Sequence, residues 1–407
     1  MTLQRVVITG RGVVSALGNN VLDFNRSLQS GSVGIGQLKT LSCDSISARI
    51  GAQVNGLDLD SHFDRSQLPI LDRTSKFAIY AARQAVKESG LSTDGELGPR
   101  TAVIIGTGAG CATSIEDSYE TYYANRSRRA HPLTVPKIMI NAPAGHISMD
   151  LGITGPSFAI SAACASSANA LVLATQMIRS GMIDTVIVGG AEACLTTGCF
   201  KIWEAMRVLA PDTCRPFSNA RMGLVLGEGA AVFVLERLDL ARKRSAQIFG
   251  EVIGVAMNSD AHHILNPLQD RQADAIRACL HDAGMDGEQV GYVNAHGTAT
   301  AVNDATETRA IKDAFGSHAR SLKVSSTKSM HGHTLGCAGA LELLATAIGL
   351  ENGFAPPTMN FSEPDPDCDL NYVTNEAQPL QTKAALSNSF AFGGHNAVIA
   401  LRAAQYV

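Results

Sequence analysis

Cys164 sits in the run FAISAACASSANAL, Phe158–Leu171, where a β-prone stretch gives way to small residues and then to a helical pattern. A thiol reacts as its anion, and the dipole and free N–H groups of a helix start favour that anion. Ala168, Leu171, Val172, Thr175 and Ile178 recur at helical spacing, with end signals at Arg179 and Gly181. The spacing therefore predicts Cys164 at a helix N-terminus, with its pKa lowered. The same N–H groups could hold an oxyanion when sulfur attacks a carbonyl. The competing reading is a small buried core cysteine, the commoner fate of a lone free thiol.

Two histidines could work with that sulfur. NAHGTATAVND places His296 just after a strand, among Gly and Thr. STKSMHGHTLGCAG places His333 at the start of a second long helix. An imidazolium is disfavoured at a helix N-terminus, so His333 is expected to be neutral and able to donate an N–H. Two neutral histidines beside a cysteine suit donation to one carbonyl oxygen as charge develops there. A hydrolase would need one base and an ordered water instead. Taken singly, each histidine is more simply a hydrogen-bonded packing residue. The His331/His333 pair has no third ligand at metal-binding spacing, so no metal is expected. The loop at Gly106–Gly110 lacks both the Lys-Ser/Thr of a P-loop and GxGxxG spacing, which argues against a nucleotide. His262 and His263 read as loop residues without an assigned purpose.

Positioning these groups falls to alternating strands and helices. RVVITG, TAVIIGTG, DTVIVGGAE, AAVFVLE, YVNAHGT, LKVSSTK and AVIALRA read as strands. TSKFAIYAARQAVKESG reads as a helix stopped by Gly90. Such alternation indicates α/β layers. The chain also reads as two versions of one plan. Each has a strand into a Gly-containing loop, then a strand, a small-residue elbow and a long helix. The expected halves are residues 1–250, carrying the cysteine, and 251–407, carrying both histidines, in one pseudo-symmetric body. Cys164 and His333 would then occupy equivalent elbows facing one site.

Composition narrows the class. The chain has 407 residues, 45% hydrophobic, and a net charge of −4, so nucleic acid is not an expected partner. The N-terminal run lacks signal-peptide character, and no stretch of 18 apolar residues suggests a membrane span. The nine scattered cysteines, with no CxxC, suit a reduced cytoplasmic protein.

With these motifs in hand, the chain resembles the β-ketoacyl-[acyl-carrier-protein] synthases, condensing enzymes of thiolase-like fold. The likeness is greatest to the elongating type II enzymes and related polyketide ketosynthases. ACASSANAL, NAHGTATAVND, KSMHGHTLGCAG and SNSFAFGGHN carry it, in that order along nearly the whole chain. The resemblance implies a five-layered αβαβα body of two pseudo-symmetric halves. It implies that Cys164 accepts an acyl group from a carrier-protein thioester. His296 and His333 then hold the malonyl thioester oxygen while CO₂ is lost, and the chain grows by two carbons. Phe392 would be the gate, its N–H joining that of Cys164 in the oxyanion hole. Lys328 and Glu342 match a charged pair beside the second histidine, with Lys328 counted in the catalytic set. Thr298 and Thr300 match hydroxyls that bond the pantetheine. Ala109, Thr134, Phe200, Phe390 and Gly393 would belong to the pantetheine and acyl pocket. No cofactor is implied, because phosphopantetheine arrives on the carrier protein.

Arg128 and Arg129, in NRSRRAHPLTVPK, match positions that meet the acidic carrier protein, although a charge run alone is ordinarily a solvated face. A homodimer is implied, or a heterodimer with a ketosynthase-like partner. Several residues depart from the family pattern. His395 stands where Thr is common, Met222 where Asp is common, and Leu265 where a polar residue is frequent. Ala109 and Thr134 stand where bulkier residues are usual, which suggests a wider or deeper pocket suited to long, unsaturated or polyketide-like chains. Two rival readings remain. A non-catalytic chain-length-factor-like partner usually lacks the cysteine. A thiolase or acyltransferase using coenzyme A would carry a second catalytic cysteine in the C-terminal loop, where this chain reads SFAFGGHN.

Overall fold

The computed structural model describes residues 3–38, 46–92, 97–127 and 129–407. Arg128 lies outside them. Ten strands carry the fold. The first five are β1 (Val6–Ser15), β2 (Thr101–Gly106), β3 (Ser157–Ile160), β4 (Thr185–Glu192) and β5 (Gly229–Arg237). The second five are β6 (Gly250–Ser259), β7 (Val290–Asn294), β8 (Lys323–Ser325), β9 (Ala384–Ala391) and β10 (His395–Ala403).

The first five run in the order β3-β2-β4-β5-β1, and the second five in the order β8-β7-β9-β10-β6. Each strand thus corresponds to the one five places later. The pairing senses agree as well. β3-β2-β4 and β8-β7-β9 are parallel, whereas β4-β5-β1 and β9-β10-β6 are antiparallel. The two sets meet only where Val6–Ile8 of β1 pair with Gly250–Val252 of β6.

Helices repeat in step with the strands. α1 (Arg73–Ser89), α2 (Ala142–Leu151) and α3 (Ser166–Arg179) belong to the first set. α4 (Gln269–Asp282), α5 (Ala301–Phe315) and α6 (Ala338–Asn352) belong to the second. α1 and α2 cover one outer face, and α4 and α5 cover the other. α3 and α6 pack on each other and on strands of both sets. That gives five layers, αβαβα, as expected.

Hydrophobic patterning explains the placement. Every residue of α6 from Ala338 to Leu350 is buried, as suits a helix covered on all sides. α1 instead buries one stripe, including Phe77, Ala78, Ala81, Ala82 and Ala85. It ends at Gly90 in the left-handed region, where the sequence placed its stop.

Candidate active site

The small residues around Cys164 exist because the central helices pack closely. A Cβ on Gly106 would lie 2.3 Å from the Ser167 backbone nitrogen, and one on Gly339 would lie 2.9 Å from the Ala168 Cβ. The Ala340 N–H donates to Ser167 Oγ at 2.9 Å, tying α6 to α3. Between β3 and α3 the backbone turns sharply. Ala163 takes φ +47°, an uncommon value for a residue with a Cβ. Ser166 steadies the turn by accepting from Ala162 N at 2.9 Å and donating to Ala163 O at 2.6 Å. At the equivalent elbow Gly332, with φ +67°, precedes His333. The two elbows bring Cys164 Sγ within 3.1 Å of His333 Nε2.

The electrostatics revise one expectation. Cys164 precedes the first residue of α3 by two positions and is 6% exposed. Burial pushes its thiol up to about 12, against the opposing pull of Lys328 and the Phe392 backbone N–H. The lowered pKa read from the helix start is not what this environment produces: desolvation outweighs the helix end. His333 is held well below its ordinary pKa by burial and by Lys328. The resting pair is therefore a neutral thiol beside a neutral imidazole. His333 is neutral as expected, though not from a helix start. It follows the short helix Lys328–His331, and α6 begins later, at Ala338. Its backbone N–H bonds Val225 O at 2.7 Å.

His296 faces His333, ring centroids 5.6 Å apart and nearly perpendicular. Its backbone N–H and that of Gly297 donate to Glu307, each at 2.8 Å. Burial and Lys328 hold its imidazole well below the ordinary pKa. Lys328 is fully buried, with Nζ bonded to Glu342, to His296 O at 2.6 Å and to His296 Nδ1 at 3.2 Å. An ammonium has three donors and no acceptor. His296 Nδ1 must therefore accept, which leaves its proton on Nε2. His333 Nδ1 has no protein partner, so no hydrogen bond fixes its tautomer.

Cys164, His296 and His333 line one cavity of about 550 Å³, counting its open mouth. Thr298, Thr300, Phe390, Phe392 and Leu265 line it too, and the Thr298 and Thr300 hydroxyls bond each other at 2.9 Å. Phe392 lies in the turn between β9 and β10, followed by Gly393 and Gly394 at φ +83° and +70°. The Gly393 N–H bonds Ile264 O at 2.8 Å. His395 is exposed beside Gly393, and Met222 is exposed.

Four expected pocket residues do not line the cavity: Gly393 sits between two that do, Phe392 and Gly394, and the other three lie elsewhere. Phe200 is buried in an apolar cluster with Leu195, Leu224 and Leu335, and Ala109 packs against that cluster, so neither lines the cavity at Cys164. Thr134 lies on a separate surface cavity with Tyr122, Arg129 and Lys137. Arg129 is exposed there.

Sequence reasoning missed Trp203, which lines the cavity and stacks on Phe392 at 6.0 Å and 23°. It also missed Glu192, which accepts from the N–H groups of Gly108, Ala109 and Gly336 and from the Thr107 hydroxyl. Burial pushes that carboxyl up to about 7. A charged residue ending a buried strand, as in GGAE, was the available signal. Oxygens of Asn294, Glu342 and Asn388 are buried without a partner. Among the described residues no cluster of three His, Cys, Asp or Glu suits a metal, and no helix is long and apolar enough to cross a membrane.

Comparison with known proteins places the chain in a family. Residues 3–241 match the beta-ketoacyl synthase N-terminal domain, and residues 249–362 match the C-terminal domain. The chain belongs to the β-ketoacyl synthase family. It is 45% identical over 399 residues to Nodulation protein E of Rhizobium sp. (strain N33), covering 98% of this chain and 99% of that protein. It is 38% identical over 407 residues to 3-oxoacyl-[acyl-carrier-protein] synthase 2 of Synechocystis sp., covering 98% of each. A solved type II PKS acyl-carrier protein in complex with its ketosynthase bound to the hexaketide matches with TM-score 0.90 and 30% identity, covering 98% of this chain and 99% of that one.

Proposed function

We propose that this β-ketoacyl synthase extends carrier-bound acyl chains by two carbons, with Cys164 as nucleophile. The observation that carries the reading is the Cys164–His333 contact of 3.1 Å beside His296 in one cavity. In the first step the Cys164 proton passes to His333 Nε2 while sulfur attacks the acyl thioester, and then to the departing pantetheine sulfur. The N–H groups of Cys164 and Phe392 face the oxyanion. In the second step malonyl thioester loses CO₂. Nε2–H of His296 and of His333, whose tautomer is free to switch, hold the enolate oxygen. The enolate carbon attacks the acyl-cysteine, the C–S bond breaks, and the departing thiolate takes a proton from water by way of His333. Lys328 acts through His296, and Glu342 balances its charge. The pantetheine arm passes Thr298 and Thr300.

The substrate supplies its own phosphopantetheine, so no resident cofactor takes part. The carrier protein is the partner, by analogy with the complexed relative, and Arg129 with Lys137 offers it a basic face. We infer a homodimer from the sheet edge. The outer edge of β8 is covered by Asn371–Tyr372, whereas β3 has no such neighbour among the described residues. An open edge whose own residues are exposed or half-buried invites a second β3. Ala109 packs against an apolar cluster whose Leu224 also lines the cavity, so a long acyl chain would have to extend from the cavity into that cluster. Intact mass after incubation with acyl-carrier thioesters tests the core reading. A one-acyl gain in the wild type, absent in Cys164→Ala, supports it, and an equal gain in both sinks it. A sharp preference for short saturated chains would exclude the long-chain inference.

A further inference from the structure

We propose that Trp203 is a latch that holds the Phe392 gate over Cys164, and that an acyl chain must part the two rings to enter. This deepens the reading above and rests on it. Trp203 is the chain's single tryptophan. It sits on the helix Thr197–Ala205, which is fixed at both ends. At the start, Thr196 Oγ1 accepts from Cys199 N at 3.3 Å. Glu116 accepts there from Thr197 N at 3.0 Å and Gly198 N at 2.8 Å. Near the far end Glu204 accepts from Ser47 N and Ala48 N. The indole also packs against the apolar cluster of Leu195, Phe200 and Leu224. It is therefore the stationary partner of the stack.

Phe392 is the movable one. Its ring is part-exposed, and two glycines with positive φ follow it, a backbone that can swing at small cost. Its ring leans on Trp203 while its backbone N–H faces the Cys164 sulfur. One residue thus joins the indole to the nucleophile. Both rings and Cys164 line the same cavity, so an acyl group on sulfur competes with the stack for space. Trp203 touches no reacting atom. It is a positioning residue that sets how often the gate stands open, and so which chains are admitted.

The test uses the full-length protein and an acyl-carrier thioester, with tryptophan emission and intact mass read on the same sample. Emission is expected to change in proportion to the acylated fraction. In parallel, iodoacetamide labelling of Cys164 is followed by peptide mass in wild type, Trp203→Phe and Trp203→Ala. Losing an aromatic stack raises the open population by about 2- to 13-fold. Trp203→Ala should therefore label faster by that factor, with Trp203→Phe close to wild type. The acceleration should be confined to Cys164 and absent at Cys337, which is buried in the core. Unchanged emission in fully acylated protein overturns the latch alone. So does a Trp203→Ala labelling rate equal to wild type, or one raised equally at Cys337. Absence of any acyl gain overturns the functional reading, and the latch with it.

Discussion

His296→Ala should separate the two halves of the reaction. The His296 ring has no bond to the sulfur, whereas His333 Nε2 lies 3.1 Å from it. Acyl transfer needs the thiol proton moved, and the proposed mechanism gives that work to His333. Decarboxylation needs donors to an enolate oxygen, and the Lys328 contact leaves His296 with a single committed donor at Nε2. Removing one such donor costs about 2.7–4 kcal/mol, about 10²–10³ in rate. The loop should survive the change, because it is held by the backbone N–H of residue 296 on Glu307. Two assays decide the matter: intact mass for acylation, and CO₂ release with product formation for condensation. Acylation should stay within a few-fold of wild type while condensation falls by about 10²–10³. Equal losses in both assays would refute the division of labour. Condensation within tenfold of wild type would refute the donor role.

Other consequences can be checked in the same way. With the thiol pushed up to about 12, thiolate is scarce at neutral pH, so alkylation of Cys164 should quicken about tenfold per pH unit from 6 to 9. A flat profile would mean a preformed thiolate–imidazolium pair. Glu192→Gln sets an amide NH₂ against backbone donors that now meet carboxylate oxygens, and should cost about 1–3 kcal/mol in denaturant unfolding. Gly339→Ala forces α3 and α6 apart, since its Cβ would lie 2.9 Å from that of Ala168. The strain is about 1–3 kcal/mol, with kcat falling much further than stability accounts for. Arg129→Glu should raise KM for the carrier protein several-fold, leave kcat unchanged, and lose its effect at high salt.

The elbows were legible because their constraints are local. Small residues flank Cys164 and His333 wherever helix must meet helix or strand closely, and that composition shows in the chain. The stop of α1 at Gly90 was legible for the same reason. β9 was missed because SNSF within it breaks any simple alternation, since its residues are buried on both faces. β6 fell where the junction of the halves was expected. Trp203 left no signal, because a tryptophan on an amphipathic helix reads as core, and only the approach of Phe392 gives it a task. The thiol pKa was misjudged because a helix start shows in sequence, whereas the depth of burial depends on residues more than a hundred positions away.

The paired elbows have one more implication. The fold has the form of a two-fold dimer joined into a single chain. In a true homodimer, residues equivalent across the axis must be identical, so a thiol would face a thiol. Covalent fusion removes that obligation. It lets Cys164 on one side meet His333 on the other, which is the difference a proton donor and acceptor require. Continuity of the polypeptide is therefore a condition of the chemistry as well as of the fold.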